Sequence, residues 1–198
     1  MDGLVCIRDT NVLFEKLSFC VQSGQVLVIE GKNGSGKTSL LRILTGIRQQ
    51  DEGKVTWNGD DITDLATGYR QVMAYMGHQD GIKQELTALE NLQLAHIYGK
   101  ISDNSLDEVL EITGLAAQAD VYASNLSAGQ RRRLAIARLL LTDCRLWILD
   151  EPLTTLDTSG IKLFENLLKQ HVADGGIAVL SSHHDINLEG ANIIRMSL

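Results

Sequence analysis

The stretch QVLVIEGKNGSGKTSL, residues 25–40, decides the fold of this chain. Its opening residues are apolar through the middle, which predicts a buried strand at residues 25–30. A short loop rich in glycine follows, and glycine allows a tight backbone turn. The pattern after the loop predicts a helix over residues 37–45. A buried strand that passes through such a loop into a helix is typical of an α/β protein with a parallel sheet.

The loop itself reads GKNGSGKT at residues 31–38 and matches the spacing G-x-x-x-x-G-K-[ST]. Its backbone N–H groups and the helix N-terminus favour bound phosphate, Lys37 can reach terminal phosphates, and Thr38 can offer a hydroxyl to Mg²⁺. A turn that merely caps a helix is the alternative, which the strand–loop–helix context disfavours. The loop indicates a nucleotide without choosing between kinase, GTPase, motor and transporter. The predicted nucleotide-binding residues are Gly31, Asn33, Gly34, Ser35, Gly36, Lys37, Thr38 and Ser39.

Further apolar runs extend the same pattern along the chain. They predict strands at residues 17–21, 54–57 (with a turn at Asn58-Gly59), 72–76, 146–149, 177–180 and 193–196. Helical periodicity dominates residues 86–139 and returns at 161–172. Strands that alternate with helices predict a largely parallel sheet covered on both faces. We therefore expect one domain, 1–198, with a core of residues 1–76 and 142–198 and an inserted helical subdomain at 77–141.

Composition narrows the classes of function. The formal net charge of −7 disfavours nucleic acid and anionic lipid as partners. The apolar runs are shorter than the ~20 residues that cross a bilayer, and the N-terminus does not resemble a signal peptide. The chain is therefore expected to be soluble or peripheral. Its odd number of cysteines (Cys6, Cys20 and Cys144), without metal-like spacing, suggests reduced and mostly buried thiols.

Two further segments carry candidate chemistry. Asp150 and Glu151 follow the apolar strand at 146–149, at the sheet edge where ligands bind in α/β folds, so Asp150 could hold Mg²⁺ and Glu151 could polarise water. Taken alone, this could simply be a strand that ends in solvent. Residues 126–130 read LSAGQ and precede RRRLAIARLLL, a predicted helix that Asn125 or Ser127 could cap. The first N–H groups of that helix, at Ser127, Ala128 and Gly129, could bind an anion.

With these segments in this order, the chain resembles the ABC ATPases, whose signature is LSGGQ or a close variant. The resemblance implies a RecA-like core with an N-terminal antiparallel β subdomain, and ATP and Mg²⁺ as ligands. It also implies a homodimer in which Ser127 and Gly129 contact the γ-phosphate held by the other subunit. It assigns hydrolysis to Glu151, His183 and Gln79, and the metal to Thr38, Asp150 and Gln79. Residues 154–157, TTLD, match the loop that crosses the dimer interface, and Asp157 could equally cap the next helix.

Some positions remain ambiguous or depart from the family pattern. His184 adjoins His183 and could be confused with it, although the spacing from the preceding strand favours His183. Ala128 replaces the usual glycine of the signature. At the place of the adenine-stacking aromatic stands Arg8, whose guanidinium could lie over a base. Phe14 is the less favoured substitute, and a solvated Arg8 with weak base selectivity is the third possibility. The arginines at 131–133 fan over different helix faces, so a nucleic-acid patch is not expected.

Within the ABC ATPases, residues 77–92 (GHQDGIKQELTALENL) and the two motif segments resemble the ATP-binding subunits of cytochrome c biogenesis. That resemblance implies a peripheral protein on the cytoplasmic face of the bacterial inner membrane, with small integral-membrane permease subunits as partners and no nucleic acid. It links the ATPase indirectly to a haem chaperone, without deciding whether haem itself is transported. The alternatives are another small transporter, an ABC ATPase of DNA repair or translation, and an assembly module that uses ATP only as a clamp.

Overall fold

The computed structural model describes residues 1–98, 104–183, 186 and 188–198. Its strands are β1 (Asp2–Arg8), β2 (Asn11–Leu17), β3 (Gln25–Glu30), β4 (Glu52–Lys54), β5 (Thr56–Trp57), β6 (Asp60–Asp61), β7 (Met73–Met76), β8 (Leu146–Asp150), β9 (Ile177–Ser181) and β10 (Asn192–Ser197). Its helices are α1 (Lys37–Leu44), α2 (Ile62–Leu65), α3 (Thr67–Val72), α4 (Ala88–Tyr98), α5 (Leu106–Ile112), α6 (Ala128–Leu140) and α7 (Thr158–Ala173).

A five-stranded parallel sheet forms the centre, in the order β10-β3-β9-β8-β7. The strands predicted at 25–30, 72–76, 146–149, 177–180 and 193–196 all lie in it. Parallel strands are buried on both faces, which is why they appear as continuous apolar runs in the sequence. All carboxyl ends meet at one edge, so the residues that follow β3, β8 and β9 are brought together there.

Antiparallel strands from the N-terminal part lie in two smaller sheets. One has the order β2-β1-β4, and the other is the β5–β6 hairpin, whose turn residues Asn58 and Gly59 have φ of 52° and 97°. The strand predicted at 17–21 is wrong, because β2 ends at Leu17 and Lys16 turns the backbone at φ 50°. Phe19 still exchanges backbone hydrogen bonds with Met1 and packs against the core, which accounts for the apolar pattern.

Alternate residues of the central strands fill two cores. Val28, Leu149 and Leu180 pack with Phe164 and Leu168 of α7 on one face. The opposite face packs against α1 and the N-terminal strands. In the first core the indole of Trp147 stacks on the imidazole of His171, with ring centroids 3.9 Å apart and planes 8° from parallel. The predicted cover on both faces is confirmed, and it places the loops between strands and helices at the sheet edge.

The helical segment between β7 and β8 has a core of its own, formed by Ala88, Leu92, Val109, Leu110, Leu115, Ala123, Leu126, Leu134, Ala137 and Leu141. Helix α5 begins with a capping box between Ser105 and Glu108, and Gly114 follows it at φ 69°. Helix α6 contributes to the core of the helical segment and to the core between the sheet and α7. Ile136 and Leu139 face the sheet, while Leu134 and Ala137 face the helices. Residues on α6 can therefore contact both parts of the molecule.

The three cysteines differ in their exposure. Cys6 is buried, but Cys20 is exposed and Cys144 is only partly covered, so the prediction of mostly buried thiols is wrong. None of these three described cysteines forms a disulfide bond. Across the described residues, no helix combines the length and the apolar character needed to cross a bilayer.

Candidate active site

The phosphate loop, residues 31–38, leaves β3 and enters α1 through Gly36, which takes φ 105° at the helix N-cap. A Cβ atom on Gly36 would lie 3.1 Å from Leu13 Cβ. At Gly31, with φ 151°, a Cβ would lie only 2.6 Å from Ser35 Oγ and 2.7 Å from the carbonyl oxygen of Leu198. These two positions therefore require glycine for both conformation and space.

The polar groups of the loop are turned inward. Lys37 is almost completely buried, and its Nζ donates to the carbonyls of Gly31 at 2.7 Å and Lys32 at 3.2 Å. The hydroxyl of Ser35 is buried and finds no hydrogen-bond partner among the residues described. A buried hydroxyl without a partner is costly, so it suits a loop whose occupant supplies oxygen atoms. This geometry gives a compact loop that can hold phosphate, and the individual phosphate contacts of the predicted residues remain predictions.

Asp150, at the end of β8, is the buried acid of the site. One oxygen, Oδ2, accepts a hydrogen bond from Thr38 Oγ1 at 2.9 Å, and the other, Oδ1, accepts one from Ser181 Oγ at 2.7 Å. A carboxylate beside a hydroxyl is a set of hard oxygen donors that fits Mg²⁺. The structure therefore brings together Thr38 and Asp150, two of the three predicted metal ligands. When bound, Mg²⁺ would neutralise charge on the phosphate oxygens.

Glu151 and His183 meet next to this acid. The Oε1 atom of Glu151 lies 3.1 Å from Nε2 of His183, and both side chains are partly exposed, so water can reach them. Glu151 adopts φ 50°, and its N–H donates to Ser181 Oγ at 2.9 Å. Thr154 Oγ1 lies 3.5 Å from the other carboxylate oxygen. A carboxylate and an imidazole so arranged can polarise water and stabilise a terminal phosphate. His184 lies outside the described residues.

Ser181 is a site residue that sequence reasoning missed. Its hydroxyl donates to the Asp150 carboxylate and accepts from the Glu151 N–H, so it fixes both acidic residues. The hydroxyl is fully buried, and Ser181 lies directly opposite Asp150 in the β8–β9 register. Finding it from sequence would require the register between β8 and β9, which sets Ser181 opposite Asp150 and which the sequence pattern does not give.

The signature segment, residues 126–130, opens α6. Ser127 is the N-cap: its Oγ accepts from the Gln130 N–H, and its own N–H donates to Gln130 Oε1 at 2.8 Å. The anion site was expected to use the N–H groups of Ser127, Ala128 and Gly129. The Ser127 N–H is already bonded to Gln130, which leaves those of Ala128 and Gly129. Ser127 and Ala128 are exposed, so the methyl group of Ala128 is accommodated without crowding the fold.

The loop at residues 154–157 packs beside the signature segment. Gly129 fits against the carbonyl of Thr155, where a Cβ would lie at 3.0 Å. Asp157 caps α7 by accepting from the Gly160 N–H at 2.8 Å, which confirms the predicted cap, and it also pairs with Arg133 at 2.7 Å. The Gly160 bond, then the bonds from Arg133 and Ser159, lower the pKa of Asp157.

Gln79 and Arg8 lie at exposed positions. Gln79 lines a groove of about 800 Å³ between the end of β7 and helices α4 and α6. Arg8 ends β1, and the hairpin that carries it packs against Gly36 through Leu13 and Phe14. Phe14 is 8% exposed and belongs to the core, so it is not available to stack on a base. The roles of Gln79 and Arg8 remain predictions.

Comparisons with known proteins agree with this geometry. A family model described as ABC transporter matches residues 14–154. A solved dimeric bacterial ABC transporter cassette superposes with a TM-score of 0.82 at 26% identity, covering 99% of this chain and 93% of that one. An ATP-binding subunit of an ABC transporter superposes with a TM-score of 0.83 at 26% identity, covering 92% and 78%. The chain belongs to the ABC transporter family of ATPases.

Relatives within that family are more similar. The cytochrome c biogenesis ATP-binding export protein CcmA of Photobacterium profundum is 44% identical, with 100% of this chain and 98% of the relative covered. The proteins of the same name from Yersinia pseudotuberculosis and Nitrosomonas europaea are 44% and 43% identical, each over 99% of this chain and over 90% and 93% of their own lengths. Its place in the family is therefore among these export ATPases.

Proposed function

We propose that this chain is the ATP-hydrolysing subunit of an export system that serves cytochrome c biogenesis. The observation that carries the proposal is the convergence of Thr38, Asp150, Glu151 and His183 at one edge of the sheet, beside the phosphate loop. An assembly module that used ATP only as a clamp would not need a carboxylate and an imidazole 3.1 Å apart at that place. The full-length similarity to the export proteins supports the choice of system.

Each group has a part in hydrolysis. The phosphate loop and Lys37 would bind the phosphates, and Thr38 and Asp150, which are already in contact, would hold Mg²⁺ together with Gln79. Glu151 orients the attacking water and accepts its proton, a role that typically contributes about 10²- to 10⁴-fold in rate. His183 reaches the γ-phosphate, and its contact with Glu151 holds the two side chains in a fixed position relative to each other.

The active form is a head-to-tail homodimer. Ser127 and Ala128 are exposed, and the N-terminus of α6 is available for the γ-phosphate of a second copy. The solved relative at 26% identity that is described as a dimeric cassette supports a dimer. Each ATP then lies between the phosphate loop of one copy and the signature segment of the other.

Small integral-membrane permease subunits are the partners that the groove around Gln79 suits. The protein then works at the cytoplasmic face of the bacterial inner membrane, as a peripheral subunit, and its cycle serves a haem chaperone indirectly. Nucleic acid is not a partner, because Arg132 and Arg133 are engaged within the chain and the net charge is −7.

Co-purification from native membranes tests the proposal. We expect the tagged chain to hydrolyse ATP and to retain small integral-membrane subunits together with a haem chaperone. An Ala95→Arg variant, which fills the groove from α4, should lose these partners while purified protein keeps its ATPase rate. Capture of an unrelated permease would contradict the link to cytochrome c biogenesis, and capture of ribosomes or DNA would contradict transport.

A further inference from the structure

Arg132 is a buried charge that the roles assigned above do not use. It lies on α6, two residues after the signature segment, and only 2% of it is exposed. Burying a guanidinium is unfavourable unless its donors are bonded and its charge is compensated. Its contacts should therefore reveal what it does.

Every nitrogen of the guanidinium is engaged. On one side it donates to three successive carbonyls, which belong to the turn at residues 150–152: Nη2 to Asp150 at 3.0 Å and Glu151 at 2.5 Å, and Nε to Pro152 at 3.1 Å. On the other side Nη1 donates to the Gly77 carbonyl at 3.3 Å and to Asp80 Oδ1 at 2.8 Å. One side chain thus joins the catalytic turn to the loop at 77–81, which lines the groove.

The turn needs such support. Glu151 has φ 50°, in the left-handed region that residues other than glycine adopt only when surrounding structure holds them there. Ser181 holds the Glu151 N–H, and Arg132 holds the Glu151 carbonyl together with the carbonyls on either side. The direction of the Glu151 side chain depends on this backbone conformation.

We propose that Arg132 is a positioning residue for ATP hydrolysis, which fixes the turn at 150–152 and ties it to the groove-lining loop at 77–81. This inference rests on the proposed role of Glu151. Lysine cannot replace Arg132, because an ammonium is a single point with three donors and cannot span five acceptors in two segments. A partner that displaces the loop would then change the setting of Glu151.

The same helix offers a matched control. Arg138 also donates to the loop, to the carbonyls of Asp80 at 3.3 Å and Gly81 at 2.9 Å. Those bonds reach only the loop side, whereas Arg132 reaches the turn as well. Replacing either arginine by methionine removes the same guanidinium group from α6 and leaves an unbranched side chain in its place.

The experiment compares Arg132→Met with Arg138→Met in the purified full chain, by ATPase kinetics, ATP affinity and amide hydrogen exchange. For Arg132→Met we expect kcat to fall roughly 30-fold or more while the Kd for ATP stays within about threefold. Amides of residues 150–154 should exchange at least about tenfold faster in this variant, and within about twofold of the wild-type rate in Arg138→Met.

Three results would overturn the proposal. Unchanged exchange at 150–154 in Arg132→Met shows that the turn does not depend on Arg132, and equal effects of the two variants show general packing. Faster exchange at 150–154 with an unchanged kcat also refutes the proposal. The Glu151→Gln variant then shows whether the role of Glu151 or only the role of Arg132 is wrong. Normal turnover in Glu151→Gln would refute the role of Glu151 itself, whereas slow turnover would refute only the need for Arg132.

A milder pair of variants covers the case in which Arg132→Met does not fold. Arg132→Lys should lower kcat about tenfold, and Asp80→Asn, which removes only the ion pair, about threefold. Because both act through one connection, the double variant should be no slower than Arg132→Lys alone. Independent, multiplying losses would overturn the proposed link.

Discussion

The phosphate end of the site and its two outer edges are built differently. At the phosphate end, Lys37, Asp150 and Ser181 are buried and bonded to one another or to the backbone. At the edges, Arg8 on the β1–β2 hairpin and Ser127 at the start of α6 are exposed. Groups that act on the reacting bond must be held in place before ATP arrives. Arg8 and Ser127, the groups proposed to meet a base and a second copy, are left open, and the other molecule would complete their contacts.

The largest expected effect tests the phosphate end directly. In Glu151→Gln the amide keeps the shape of the side chain but cannot accept the proton of the attacking water. We expect kcat for phosphate release to fall about 10²- to 10³-fold. ATP binding should persist, so ATP-bound dimers should accumulate and be visible by light scattering.

Glu111→Gln is the matched control, since Glu111 is exposed on α5 and lies in the helical segment. It should leave turnover and dimerisation unchanged. Turnover in Glu151→Gln equal to that of the wild type would remove Glu151 from the mechanism.

A mixing experiment tests the open edge at the signature segment. Lys37→Ala damages the phosphate loop, and Ser127→Arg blocks the surface offered to the partner's ATP, so each variant alone should be inactive. Half of the dimers in an equal mixture are heterodimers with one intact site, which predicts roughly a quarter of the wild-type rate.

A mixture of wild type with Lys37→Ala shows whether a heterodimer with one intact site turns over. If that mixture exceeds the rate of its wild-type homodimers while the two variants together remain inactive, the shared site is refuted.

Ser181→Ala should have an intermediate effect, because it removes one buried hydroxyl from the phosphate end. The change leaves the Glu151 N–H without its partner, which costs about 1–3 kcal/mol, and frees one oxygen of Asp150. We expect kcat to fall about tenfold and the Mg²⁺ concentration for half-maximal rate to rise.

Ser23→Ala is the control for this change, since Ser23 bonds the Gly175 carbonyl at the opposite edge of the sheet. Equal kinetics for Ser181→Ala and wild type would show that Asp150 needs no support from β9.

The smallest effect is expected at Arg8, the residue predicted to lie over the adenine base. Arg8→Ala removes a guanidinium that would lie over adenine, and should raise KM for ATP about threefold with kcat unchanged. GTP should be affected less if Arg8 selects the base. An unchanged KM for both nucleotides would mean that Arg8 is simply a solvated charge.

The sequence predicted the parallel sheet and the phosphate end because both rest on local patterns. Residues 25–30 and 146–149 are apolar runs that end in motif residues. A strand that is buried on both faces of a parallel sheet needs apolar residues along its length, so it is visible in the sequence. The hairpin strand β2 was missed because Phe14 is its only buried residue, so little hydrophobic alternation marks it. Predicted residues Thr38, Asp150, Glu151 and His183 meet because their strands end at the same edge.

Contacts between segments that lie far apart in the chain could not be predicted from the sequence. The arginines at 131–133 look equivalent, and only the fold distinguishes the buried Arg132 from Arg131, which bonds the Leu126 carbonyl, and from Arg133, which pairs with Asp157. Helical spacing does not separate them, because residues 134–137 are all buried and each arginine lies three and four residues before two of these positions. Its bonds to residues 77 and 80 and to the turn at 150–152 required the tertiary structure.

The stack of Trp147 on His171 gives this ATPase an optical handle on its own catalytic strand. Trp147 lies three residues before Asp150 on β8, and Trp57 is the other of the two tryptophans in the chain. A Trp57→Phe variant would therefore emit from β8 alone. Burial lowers the pKa of His171, so the imidazole against the indole is neutral near neutral pH. A shift of the strand on nucleotide binding would separate the rings and appear as a change in fluorescence lifetime, with no label attached.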